Sequence, residues 1–118
     1  MTSPRIDLSH LFDPAELEKA VDVGHVRTQV HPTLPYVIYN YTEACVFERA
    51  WTDVTRQCRG LICENEGWVL ARPFPKTFNH SEPEAHTFGA DEPVEVTDKI
   101  DGSLAVGLPT PDGLAIAT

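Results

Sequence analysis

The run Gly60-Leu61-Ile62-Cys63-Glu64, Asn65-Glu66-Gly67, Trp68-Val69-Leu70-Ala71-Arg72 constrains this chain more than any other segment. Two apolar, strand-prone stretches flank a polar triplet ending in glycine, the pattern of antiparallel strands joined by a tight turn whose glycine takes a positive φ. Pro73 and Pro75 then stop the second strand, because proline fixes φ and removes an amide donor. Lys76, Phe78 and Asn79 are therefore expected on a rigid, extended exit. Tyr36-Val37-Ile38-Tyr39-Asn40-Tyr41 is β-branched and aromatic and predicts a further strand.

Upstream, Asp13-Pro14-Ala15-Glu16 has the form of an N-cap, a proline at the first helical position and a capping-box glutamate. Leu17, Ala20 and Val21 follow on one face, and Gly24 is a stop, so a helix is expected over 14–23. Residues 42–58 accommodate either a short helix with Val46, Phe47 and Trp51 toward the core or a strand through Val46. Residues 80–93 are polar and predict a loop with at most one helical turn. Val94-Glu95-Val96-Thr97-Asp98 alternates as a half-buried strand leading into Lys99. Leu104–Leu108 and Leu114–Ala117, joined by a turn over Pro109–Gly113, predict another hairpin. The expected class is α+β, antiparallel, with one N-terminal helix. Trp51 and Trp68 are expected in the core.

At 118 residues and 42% apolar content the chain can bury one core. It holds no apolar run near the roughly eighteen residues of a membrane span, and its N-terminus lacks the layout of a secretory signal. A soluble, cytoplasmic protein without a membrane partner is the expectation. Cys45, Cys58 and Cys63 form an odd set without a C-x-x-C pair, which suggests reduced structural thiols rather than disulfides or zinc ligands. His10, His25, His31, His80 and His86 are scattered; His25 and His31 lack the i, i+4 spacing that lets two imidazoles share a metal.

The formal charge of −9 argues against a simple basic nucleic-acid clamp. Its distribution is more telling. Arg49, Arg56, Arg59, Arg72 and Lys76 fall within one stretch, whereas from position 77 onward Lys99 is the sole cation among eight acids.

Lys99-Ile100-Asp101-Gly102-Ser103 lies between two strand-like segments. A neutral lysine amine can attack a nucleotide phosphate, but an ordinary lysine, with a pKa of about 10.4, is protonated at neutral pH. Asp98 and Asp101 favour the ammonium. Activation must come from folded cations, for which Arg59, Arg72 and Lys76 are candidates, from desolvation, or from a metal accompanying the nucleotide. Asp101 would be a ligand for such a metal. Gly102 would permit close backbone approach to a sugar or phosphate, and Ser103 could donate a hydrogen bond. The same five residues also fit an ordinary turn, since Asp-Gly is a common turn dipeptide.

Tyr39-Asn40-Tyr41-Thr42, Arg49-Ala50-Trp51, Cys58-Arg59-Gly60-Leu61-Ile62, Arg72-Pro73-Phe74-Pro75-Lys76-x-Phe78-Asn79 and Lys99-x-Asp101-Gly102-Ser103-Leu104, in that order, resemble the N-terminal region of phage-type ATP-dependent RNA ligases, the type 1 class. The resemblance covers about 36–108. It implies the N-terminal portion of an antiparallel-sheet nucleotidyltransferase (ATP-grasp-like ligase) fold, with 1–118 as part of one such domain, truncated after the lysine motif. It also implies that Lys99 becomes lysyl-AMP, with Asp101 beside it as a catalytic and metal-binding carboxylate. Arg59, Lys76, Phe78, Gly102 and Ser103 would bind the nucleotide. ATP, Mg2+ or Mn2+, and RNA ends bearing a 5′-phosphate and a 3′-hydroxyl are the implied cofactors and partners.

In that family a later glutamate and later lysines complete the site, and no match for them follows Ser103, so a fragment inactive alone is expected. A DNA ligase or capping nucleotidyltransferase shares the lysine chemistry, and a non-catalytic β-rich interaction module remains an alternative reading.

Overall fold

The computed structural model describes residues 6–79, 81–98, 102 and 105–117. A four-stranded antiparallel sheet runs in the order β1 (Val26–Val30), β2 (Tyr36–Tyr41), β3 (Arg59–Glu64), β4 (Val69–Ala71). Helices α1 (Pro14–Asp22), α2 (Glu43–Glu48) and α3 (Asp53–Gln57) and a 3-10 turn at Leu8–His10 complete this part of the chain. A separate ribbon, β5 (Val106–Thr110) and β6 (Gly113–Ala117), pairs antiparallel. The molecule is therefore α+β with an antiparallel sheet. The N-terminal helix is accompanied by two shorter ones.

Strand periodicity explains how one sheet serves two cores. Successive side chains point to opposite faces. Leu61 and Cys63, with Val37, Tyr39 and Val69, pack against Leu8, Phe12, Leu17, Ala20, Val54 and Cys58 on the helical side. Ile62, with Tyr36, Ile38 and Leu70, packs against Leu108, Val106, Ala115 and Ala117 of the ribbon. With both faces covered, β3 is an uninterrupted apolar run at Leu61, Ile62 and Cys63, all buried.

Local signals hold at α1. The Asp13 carboxylate accepts the Ala15 amide at 3.0 Å. At the other end the His25 amide reaches the Ala20 carbonyl and the Gly24 amide reaches Val21, closing the last turn as a Schellman motif. Glu16 forms no capping box; it lies 3.9 Å from Lys19 one turn on. The β3–β4 hairpin forms as expected. Gly67 has φ +99, and a Cβ there would sit 2.8 Å from Asp7 Oδ1, because the N-terminal segment runs alongside. Leu8 donates to the Gly67 carbonyl, and Val69 donates to Ile6.

Four expectations change. Residues 42–58 form two short helices, yet Val46 and Phe47 point outward, Phe47 at 90% exposure. A six-residue helix has room for little more than one inward position, and Cys45 takes it. Val94 through Asp98 is not a strand, and Val96 is 89% exposed; alternation makes a strand only where a partner ladder exists, and none of the described strands pairs with it. The second hairpin turns later and more tightly than expected, with Thr110 opposite Gly113 and Pro109 inside β5. A two-stranded ribbon tolerates that missing donor, since each strand keeps an open edge. Finally, β1 was not anticipated. Its residues are exposed apart from Val26, so it carries little apolar signal and is held by pairing with β2.

Candidate functional site

Arg59 opens β3, and a bulge sets its direction. Tyr39 pairs with Leu61 but Asn40 pairs with Arg59, so Gly60 is the extra residue, and its φ is +77. Only glycine takes that conformation without strain. Its amide is held by Asn40 Oδ1 at 2.9 Å. The bulge breaks the alternation that would otherwise put Arg59 on the face of Leu61 and Cys63, which is packed against helices.

The proline-bound exit from β4 then folds back over this point. Arg72 donates to Gln57 Oε1 at 2.6 Å, Arg59 lies 3.5 Å from the Phe74 carbonyl, and the Lys76 amide donates to the Arg56 carbonyl at 2.8 Å. These three links gather Arg56, Arg59, Arg72 and Lys76 at the junction of α3 and β3. None of the four forms an ion pair with a described carboxylate.

An aromatic chain lies beside the cations. Tyr41 and Trp51 meet edge to face at 5.1 Å, and Trp51 and Phe78 at 5.5 Å. Lys76 Nζ sits 5.7 Å from the Trp51 centroid and 5.3 Å from that of Phe78; Arg56 Cζ is also 5.3 Å from Phe78. Such contacts favour a cation through the ring quadrupole, at about 0.5–1 kcal/mol each where water has access. Trp51, expected in the core, is half-buried and works here as a wall.

The next charged group behaves differently. Arg49 ends α2 in the left-handed region, with φ 51, and binds both Glu82, at 3.6 Å, and Glu84. Partial burial tends to raise the Glu84 carboxyl, but a backbone hydrogen bond, Arg49 and the more distant Arg56 together bring it below its ordinary value.

Of the residues nominated from the sequence, Lys76 and Phe78 are in contact, and Arg59 reaches the Phe74 carbonyl on the same exit segment. Gly102 is exposed, with φ +149 and open space where a Cβ would be. Lys99, Asp101 and Ser103 lie outside the described residues. A cleft of about 360 Å³ separates the Ala71–Phe74 exit from Ala105–Gly107 at the start of β5. It therefore joins Arg72 to the strand that follows the lysine motif. A larger concavity, about 520 Å³, lies between α1 and α3 and contains none of the nominated residues. Asp13, Glu16 and Asp53 line it beside Lys19 and His25, whereas the smaller cleft takes Arg72 alone of the four cations.

Arg56 lies outside every motif, and Trp51, which is within Arg49-Ala50-Trp51, was expected in the core rather than against a cation. The density of cations between 49 and 76 was the available signal, but a count does not show which of them share a corner. Among the described residues no group of three His, Cys, Asp or Glu side chains could hold a metal. The three cysteines are free and buried; burial pushes Cys58 and Cys63 up to about 12, so they are inert as thiols. No described helix is long and apolar enough to cross a membrane. Comparison with protein-family models, with curated proteins and with solved structures gives no match.

Proposed function

We propose that the Arg56–Arg59–Arg72–Lys76 corner binds the phosphates of ATP and that the chain belongs to the covalent nucleotidyltransferases, as an RNA ligase of the type 1 class. One observation carries the reading. In a chain of net charge −9, four cations are drawn together by hydrogen bonds to the backbone and to a glutamine, and no described carboxylate pairs with them. Like charges held in one place repel unless an anion joins them, and oriented Arg and Lys beside half-buried rings suit a polyphosphate. The β3 bulge and the proline exit supply the rigidity that phosphate positioning needs.

The chemistry follows from the lysine motif. The neutral Lys99 amine attacks the α-phosphorus, an N–P bond forms, and the bond to the bridging oxygen breaks with its electron pair leaving on pyrophosphate. The proton lost by the amine passes to solvent. Arg59 and Lys76 stabilise the charge that grows on the leaving group. An RNA 5′-phosphate oxygen then takes AMP from the lysine, breaking the N–P bond, and a 3′-hydroxyl displaces AMP to seal the strand. Mg2+ or Mn2+ would be held by Asp101, which lies outside the described residues, and would offset phosphate charge there.

The test is covalent labelling. With α-labelled ATP and magnesium, label that survives denaturation and alkali but is released by acid, as a phosphoramidate is, should appear on the protein and vanish in Lys99→Ala. Label from GTP instead of ATP would favour a capping enzyme. No label together with no measurable ATP binding would overturn the nucleotide reading.

A further inference from the structure

Arg56 stands outside every motif that suggested the phosphate site, yet its surroundings are those of an unused anion ligand. It sits near the end of α3, and its carbonyl accepts the Lys76 amide, so the two residues are fixed relative to one another. Their cationic groups are each 5.3 Å from the same Phe78 centroid, which bounds their separation at twice that distance. The Arg56 Nε is buried and has no hydrogen-bond partner among the described residues. Buried donors without acceptors are rare in folded proteins, and such a group calls for a partner. No described carboxylate forms an ion pair with Arg56; Glu84, which feels its charge, is bound by Arg49.

We infer that Arg56 is a further phosphate ligand, acting with Lys76 on the polyphosphate part of the nucleotide. A guanidinium presents a planar fork of donors, so it can bind two phosphate oxygens at once where an ammonium acts as a point charge. Paired with Lys76 across one ring, it would discriminate by phosphate number: a triphosphate can engage both groups, whereas a monophosphate held through its α-phosphate engages neither fully. The inference rests on the nucleotide reading above.

Affinities of the whole chain for ATP, inorganic tripolyphosphate and AMP, measured by titration calorimetry, separate the two. Arg56→Gln should weaken ATP and tripolyphosphate by about tenfold or more and AMP by less than about threefold. Arg56→Lys, which keeps the charge and the contact with Phe78, should fall between, and it keeps the test valid if the glutamine variant folds poorly. If wild type binds ATP and Arg56→Gln binds it equally, or loses ATP and AMP alike, Arg56 is no polyphosphate ligand. If wild type binds no ATP at all, the nucleotide reading falls and takes this inference with it.

Discussion

Arg49 and the cluster of Arg56, Arg59, Arg72 and Lys76 lie close in sequence, yet the fold treats them in opposite ways. Arg49 is satisfied internally by Glu82 and Glu84, which tether the polar loop beyond the proline exit. The cluster meets one backbone carbonyl, a glutamine and ring faces, and no described carboxylate. Acids are plentiful, so their absence at the second corner is not a matter of supply. A paired cation fastens a loop, whereas unpaired cations held rigidly together make a receptor for an outside anion.

Breaking the cluster should have the largest effect. Arg59→Ala should weaken ATP by about ten- to a hundredfold, the loss expected for a charge-assisted bond, with little change in the thermal midpoint. Gly60→Ala comes next. Its φ of +77 is costly for any side chain, so a loss of about 1–2 kcal/mol in urea unfolding is expected. Loss of the bulge would also turn Arg59 and lower ATP affinity. Trp51→Leu removes two edge-to-face contacts and one cation contact and should cost about 1–2 kcal/mol, read from the urea midpoint. Arg49→Ala, which breaks a partly exposed ion-pair set, should cost no more than about 1 kcal/mol.

The smallest effect is electrostatic. The Glu84 carboxyl is held below its ordinary value, so the stability it contributes is present above the unfolded value of about 4.3 and is lost as pH falls through the lower folded one. Proton-linked NMR shifts of Glu84 should titrate below that ordinary value in wild type and move back toward it in Arg49→Ala.

Much of the scaffold was legible because its signals are local. Proline and Asp13 at the start of α1, glycine in the β3–β4 turn and prolines at the exit each act within a few residues, and each performs as the residue chemistry requires. What failed depended on partners far along the chain. Val94–Asp98 has the alternation of a strand but no partner among the described strands, and β1 has little alternation but gains one in β2. The site divides along the same line. Arg59 and Lys76 were recognisable by motif, but Arg56, and the contact of Trp51 with a cation, come from the fold-back of 72–78 over α3, a tertiary event invisible to spacing.

The contrast between the two corners is tested most directly by ATP affinity in three proteins: wild type, the Arg59→Ala/Lys76→Ala double variant, and Arg49→Ala. The expected result is binding by wild type, a change of less than about threefold in Arg49→Ala, and a loss of a hundredfold or more, on the order of two charge-assisted contacts, in the double variant. Equal affinity in wild type and the double variant would contradict the account, because the unpaired corner would then have no role in receiving the nucleotide's phosphates.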